Sequence, residues 1–391
     1  MIDIKDKSKC CGCNACYSIC PQNCIEMIMD KEGFLYPYID KSKCIKCNLC
    51  EKKCPILNDR KSVEFQLYGA FSNDSEIIKK SSSGGLFSLL SKIILDNNGV
   101  VYGAKYNEKN LVVHDYITTY DEIDKLRGSK YVQSDINDSL RKVKQHLKEG
   151  LPVLFSGTPC HIAGLKSYLE KYYENLYCIE IVCHGVPSPK VYNDYIKFLE
   201  DKFKSKIQDI NFREKSNGWE RYSIFIRFEN GETVIENAIE NTYMKGFLKD
   251  LYIRPSCFQC RFKNFSSESD ITLGDLWGIS NIDKDFYNNN GVSMVSINSK
   301  KGKELFEKIP EENICKNKFN LNDVSKYNPC LVKSTPLCKE KDNFFKEYNG
   351  NNLNKLVEKY TKVPIKIVIR QKIYILKTRI KEYIKFILKT C

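Results

Sequence analysis

The sequence predicts an α+β protein, with a small cysteine-rich domain followed by a larger α/β domain on a mixed sheet. Three observations predict it. A four-cysteine run occurs twice between Cys10 and Pro55. Beyond about residue 67, helix-like and strand-like segments alternate, as sheets with crossover helices require. At 391 residues the chain is also too long for one ordinary domain.

The first run is Cys10, Cys13, Cys16 and Cys20, then Pro21; the second is Cys44, Cys47, Cys50 and Cys54, then Pro55. Both read C-x2-C-x2-C-x3-C-P, the bacterial spacing for [4Fe-4S] clusters. Three cysteines two residues apart wrap one cubane, and the fourth reaches the other cluster. Cys10, Cys13, Cys16 and Cys54 are therefore expected on one cluster, and Cys44, Cys47, Cys50 and Cys20 on the second. Paired C-x2-C also binds zinc, but two copies with a trailing Cys-Pro suit the cubanes better. The stretch resembles a two-cluster ferredoxin, with an expected domain at 1–60.

Composition narrows the rest. Nineteen cysteines and a hydrophobic content of 42% describe a chain with a real core and heavy thiol use. Met1 to Lys9 is charged and has no apolar core, so no signal peptide is expected. A reducing compartment follows, with metal or redox use in place of disulfides, and a cytoplasmic location is expected. The net charge of +13 suits nucleic acid, an anionic membrane or acidic small molecules. No nucleic-acid recognition motif accompanies it, and no apolar run is long and clean enough to span a bilayer.

Residues 56–66 read as a polar linker, and the body is expected at 67–345. Ser81-Ser82-Ser83-Gly84-Gly85 precedes a helical spacing of Leu86, Leu89, Leu90, Ile93 and Ile94, stopped by Asn97-Asn98-Gly99. Amides at such a helix start can hold an anion, although a simple capped helix has the same signature. A strand follows over Val100 to Tyr106, then the turn-rich stretch Arg127 to Ser134. A helix from about Asp138 to Glu149 carries Leu140, Val143 and Leu147 on one face. Val153-Leu154-Phe155 reads as a buried strand running into Thr158-Pro159-Cys160-His161. A helix near 160–172 then leads to the strand Leu176 to Val182 and to Cys183-His184-Gly185. Two strands thus deliver Cys-His pairs at their C-terminal ends, where α/β sheets bind ligands. Neither G-x-G-x-x-G nor a P-loop is present, so ordinary NAD binding and nucleotide hydrolysis lack support. Residues 208–238 alternate apolar and polar around Glu229-Asn230-Gly231, a hairpin signature.

Ser83-Gly84-Gly85, Gly128-Ser129-Lys130-Tyr131, Ser156-Gly157-Thr158-Pro159-Cys160, Cys183-His184-Gly185, Cys257-x2-Cys260 and Leu273-Gly274-Asp275-Leu276-Trp277-Gly278 occur in this order. Together they resemble the coenzyme F420 hydrogenase/dehydrogenase beta subunits that carry an N-terminal two-cluster ferredoxin. The resemblance covers about residues 1–310. It implies an FAD protein passing electrons between a deazaflavin hydride carrier and iron–sulfur clusters. Carried onto matching positions, it implies FAD binding by Ser83, Gly84, Gly85, Gly128, Ser129, Lys130 and Tyr131, with Lys130 and the helix start on the pyrophosphate.

Cys160, Cys183, Cys257 and Cys260 sit in these motifs, and four thiolates suit a third [4Fe-4S] cluster. Zinc or inert buried thiols are the alternatives. Cys11, Cys24, Cys178, Cys315, Cys330, Cys338 and Cys391 have no assigned spacing and read as structural, Cys330 and Cys338 less firmly. His161 and His184 follow proposed ligands and either tune them by hydrogen bonds or serve structure alone. Trp277 reads as a core residue or a flavin neighbour.

The expected function is an iron–sulfur flavoprotein oxidoreductase, with a redox partner protein or small-molecule hydride carrier and no nucleic acid. The alternative is a ferredoxin-like carrier or reductase subunit serving surface-polysaccharide biosynthesis, without its own hydride chemistry. A tail is expected over 346–391. Within it, Ile369, Ile373, Leu376, Ile380, Ile384 and Ile387 recur at helical spacing, and Lys366, Arg370, Lys372, Lys377, Arg379, Lys381, Lys385 and Lys389 face a single acid, Glu382. Such a helix suits peripheral contact with the inner face of an anionic membrane, or packing on the body with its charges solvated.

Overall fold

The structure, a computed structural model, describes residues 1–58 and 62–362. It is mixed α+β, with a small N-terminal cysteine-rich domain and a larger domain on a mixed eight-stranded sheet. In the small domain β1 (Ile25–Met29) and β2 (Leu35–Ile39) form an antiparallel hairpin between the two cysteine runs. Each run makes the same backbone turn. Asn14 and Asn48 both adopt φ 59, a left-handed conformation that asparagine tolerates, ahead of helices Ala15–Ile19 and Leu49–Lys52.

The larger sheet comprises β3 (Gln66–Ser72), β4 (Val100–Tyr106), β5 (Val112–Ile117), β6 (Val153–Gly157), β7 (Leu176–Ile181), and later strands. A separate antiparallel sheet follows in the chain, with β8 (Ile207–Glu214) and β9 (Ser223–Phe228) paired and β10 (Thr233–Asn237) closing the predicted hairpin. Returning to the large sheet are β11 (Ile271–Asp275), β12 (Ser293–Ile297) and β13 (Ile314–Lys318). Its order is β13-β3-β12-β11-β7-β6-β4-β5, with β11, β7, β6 and β4 parallel and the outer pairs antiparallel.

Strand alternation divides the core into two layers. Val100, Tyr102, Val153, Phe155, Leu176 and Cys178 face the helices Ser139–Lys148 and Pro159–Leu169. Val101, Leu154 and Ile179 face the opposite side, where helix Leu86–Asp96 packs. The predicted helices and strands of this region are present within two or three residues of their expected ends. The small domain seats on the first layer, burying Cys11, Cys13, Ala15 and Ile56 there. Ile56 thus belongs to the core, although the 56–66 stretch reads as a polar linker.

At the other end, helix Leu353–Thr361 buries Leu353, Leu356 and Val357 in the core under β8–β10. The body therefore continues to Lys362, beyond the boundary expected at 345. The amphipathic pattern at 365–391 lies outside the described residues. Among the described residues no helix is long and apolar enough to cross a membrane.

Candidate metal centre and cofactor site

In the small domain, Cys20, Cys44, Cys47 and Cys50 line one hollow. Cys24, which the spacing left unassigned, lines it too, with its Sγ 3.5 Å from that of Cys20. Cys10, Cys13, Cys16 and Cys54 form a second group. Burial, then the charges of Cys13, Cys10 and Cys54, hold the Cys16 thiol well above its ordinary range. Burial, with Cys13 and Cys10, pushes Cys54 up to about 11. Four thiols gathered this closely fit a cationic cluster core, because metal binding removes their protons and neutralises the repulsion between thiolates. The structure thus brings together the residues of each ligand set expected from the spacing.

The parallel strands β6, β7 and β11 deliver their C-terminal ends to one edge of the large sheet. Cys160 sits in the first turn of the helix after β6, and Cys183 just past β7. Cys257 lies in the short helix Pro255–Gln259, with Cys260 directly after it. All four line one hollow, with Arg254, Lys263, His184 and Cys11. Burial pushes Cys257 up to about 12 and Cys183 well above its usual range. Lys263 Nζ donates to the carbonyl oxygens of Cys183 and Cys330, bringing a cation to the wall. Four thiols around one hollow are the donor number that a cubane takes. Among the described residues, no group of three or more His, Cys, Asp or Glu closes to the spacing of a lone metal ion.

Cys11 does not behave as an isolated structural thiol. It is buried with Cys13 in the layer against which Cys160 packs and lines the body hollow beside Cys160, and these two neighbours hold its thiol well above its ordinary range. It therefore joins the first cysteine group to the body hollow. The local sequence offers no sign of this, because Cys160 lies far along the chain.

The two histidines part company. His161 is buried against the His114 ring at 5.0 Å, and neither ring nitrogen has a hydrogen-bond partner. His184 Nε2 meets Asp250 Oδ1 at 2.5 Å, and its Nδ1 lies 3.4 Å from Cys330 Sγ. Burial disfavours the His184 charge, but the Asp250 hydrogen bond and the Cys330 contact outweigh it and hold the pKa up at about 9. Cys330 thereby enters the surroundings of the hollow.

The residues expected to hold FAD converge at the same sheet edge. Ser82 Oγ accepts hydrogen bonds from the Ser129 N–H (2.7 Å) and Oγ (2.9 Å), joining the two motifs. Gly84 is there for close packing: a Cβ would sit 2.4 Å from the Ala70 carbonyl oxygen, and its N–H is taken by Ser293 Oγ. Gly85 caps the helix at φ 89, and Gly128, at φ 85, borders open space. Ser83 Oγ donates to the Val292 carbonyl. Lys130 Nζ donates to the carbonyls of Leu126, Arg127 and Gly128 in this conformation.

Two further cations, unmarked by any motif, complete the wall. Arg213 is buried, pairs with Asp275 at 2.8 Å, and reaches Tyr131 and the Ser82 carbonyl. Lys215 Nζ lies on the carbonyls of Ile78, Ser83 and Asn290. Burial alone lowers Lys130 to about 7, and burial with Arg213 lowers Lys215 to about 7. Neither lysine has a carboxylate partner among the described residues. Arg127 Nε and Arg213 Nε are also buried without acceptors. Two lysines without carboxylate partners beside an open glycine fit a diphosphate. Trp277 stacks on Trp219 at 4.8 Å, with Arg213 beside it.

Family models match this chain in three parts. The coenzyme F420 hydrogenase/dehydrogenase beta subunit N-terminal model matches residues 67–141, and the C-terminal model of the same subunit matches 151–319. A 4Fe-4S dicluster domain matches 9–57. The comparison with curated proteins returns no match. Among solved structures, a chain of the xenon-derivatized F420-reducing [NiFe] hydrogenase complex from Methanosarcina barkeri is similar at 18% identity and TM-score 0.45, covering 81% of this chain and 94% of that one. The two beta-subunit matches together span most of the chain and contain both the four-cysteine hollow and the Ser82–Ser129 wall. The chain therefore belongs to the coenzyme F420 hydrogenase/dehydrogenase beta subunit family and carries a 4Fe-4S dicluster domain.

Proposed function

We propose that this iron–sulfur oxidoreductase exchanges electrons between a hydride carrier, FAD and three [4Fe-4S] clusters. The carrier is a deazaflavin such as coenzyme F420 or a similar small molecule, and a redox partner protein serves the other end. FAD supplies the change between paired and single-electron transfer. Ser83, Gly84, Gly85, Gly128, Ser129, Lys130 and Tyr131 shape its pocket, and Arg213 and Lys215 supply charge toward its diphosphate. Cys160, Cys183, Cys257 and Cys260 hold one cluster beside that pocket's sheet edge. Cys10, Cys13, Cys16 and Cys54 hold the next, and Cys44, Cys47, Cys50 and Cys20 the outermost, where Cys47 is exposed.

The observation that carries this reading is the continuity of sulfur. Cys11 lines the body hollow beside Cys160, and Cys13 packs against Gly164 of the helix that carries Cys160, so the two cysteine groups share a wall. The chain acts in the cytoplasm, and its basic C-terminal segment gives it peripheral contact with the inner membrane face.

Anaerobic reconstitution with iron, sulfide and FAD tests the proposal. About twelve iron atoms per chain are expected, four for each of three cubanes. Cys257→Ser should remove about four of them and leave the ferredoxin signals intact. Eight iron atoms in the unaltered chain would eliminate the third cluster. Reduced deazaflavin, NADH and reduced ferredoxin are then screened for flavin bleaching. A chain that never retains flavin would be an electron carrier only.

A further inference from the structure

Arg254 is fully buried, and its two ends belong to different parts of the molecule. Its backbone carbonyl accepts the Cys257 N–H at 2.9 Å, and its own N–H donates to Val186 at 2.9 Å, so it is built into the body hollow. Its side chain crosses to the first cysteine run. Nε donates to the Cys10 carbonyl at 2.8 Å, Nη1 to Gln133 Oε1 at 2.9 Å, and Nη2 to the Leu35 carbonyl at 2.9 Å. Nη2 also points at Cys10 Sγ from 3.6 Å. The guanidinium carbon lies 4.3 Å from the Tyr36 ring centroid and 5.4 Å from that of Phe34. Gly12 closes over it at φ 72, where a Cβ would come 2.8 Å from Nη1.

This charge has no carboxylate partner among the described residues. A buried arginine without a counter-ion is costly. The ionisable groups whose charge would favour it are Cys10 first, then Tyr36, Cys11 and Cys257. A guanidinium stays charged at any working pH, so the balancing charge falls to the sulfur sites.

We infer that Arg254 is a positioning and tuning residue: it raises the reduction potential of the cluster on Cys10, Cys13, Cys16 and Cys54, and fixes that cluster against the body hollow. The inference rests on the ligand sets proposed above. An added electron makes a cluster more negative, and a fixed cation with a hydrogen bond to a ligand sulfur favours that state. Cys44, Cys47, Cys50 and Cys20 lack this contact, so the two ferredoxin clusters acquire different potentials. No bond or proton is rearranged in the transfer between them.

The test is an anaerobic redox titration followed by electron paramagnetic resonance, with iron counted in each sample. Arg254→Met should move the midpoint of one ferredoxin signal to more negative values and leave the other in place. Arg254→Lys, which keeps a charge, should move it less. A midpoint unchanged in Arg254→Met at full iron content would overturn the inference, even if the melting temperature falls. Native protein labelled with ¹⁵N-arginine supplies a measurement independent of folding in the variants. The reduced Cys10 cluster should show a nitrogen coupling that changes with the label, and its absence would also overturn the inference. Cys10→Ser separates the ligand assignment from the tuning: a signal that survives it unaltered means that Cys10 is not a ligand.

Discussion

Gly164→Ala is the substitution on which helix propensity and packing disagree most sharply. Gly164 lies inside the helix Pro159–Leu169, where alanine would ordinarily add about 1 kcal/mol. In the folded chain its missing side chain faces Cys13. An added Cβ would sit 2.6 Å from Cys13 Cβ and 2.9 Å from Cys13 Sγ. Cys13 Cβ is fixed to the backbone and no rotation of the side chain moves it away, so the helix or the cysteine loop must shift. Overpacking of this kind costs about 1–3 kcal/mol. Set against the propensity gain, a net loss of about 1 kcal/mol is expected, together with displacement of a proposed ligand. The assay is anaerobic iron content and thermal melting of the reconstituted chain. Gly164→Ala should lose about one cluster's iron and melt earlier. A variant with full iron and an equal or higher melting temperature would refute the contact between this helix and the first cysteine run.

Flavin binding should weaken as pH rises from about 7, because Lys130 and Lys215 sit near 7 in the flavin-free chain and an anion favours their charged forms. Flavin titrations at a series of pH values check this, and Lys215→Met should weaken binding below pH 7 and flatten the profile; an unchanged profile would move the diphosphate elsewhere. In the flavin-free chain these same lysines act on stability with a definite sign. Their folded values lie below the ordinary 10.5, so the unfolded chain holds more protons between about 7 and 10.5, and their contribution rises with pH across that window. The 365–391 segment should bind anionic liposomes, each basic residue near the surface adding about 1 kcal/mol. Sedimentation should fall with salt and vanish in a chain ending at Lys362; equal sedimentation of both chains would mean ordinary packing.

Local pattern decided much of this protein. The doubled cysteine spacing specifies a two-cluster domain because a cubane constrains residues only a few positions apart. The alternating apolar strands and the spacing of Leu140, Val143 and Leu147 specify the sheet and its covering helix, because periodicity reports burial directly. The positions of Cys160 and Cys183 followed as well, since sheet ligands gather at strand C-terminal ends.

Tertiary structure alone decided what stands opposite those residues. Cys11 lines the hollow of Cys160, Arg254 reaches back to Cys10, and Gly164 leaves room for Cys13. Arg213 and Lys215 join the wall formed by Ser82 and Ser129 from a separate sheet. None of these pairings has a periodic or local signature. Each depends on two distant segments docking, and only then do burial and desolvation turn ordinary cysteines, arginines and lysines into parts of a redox site.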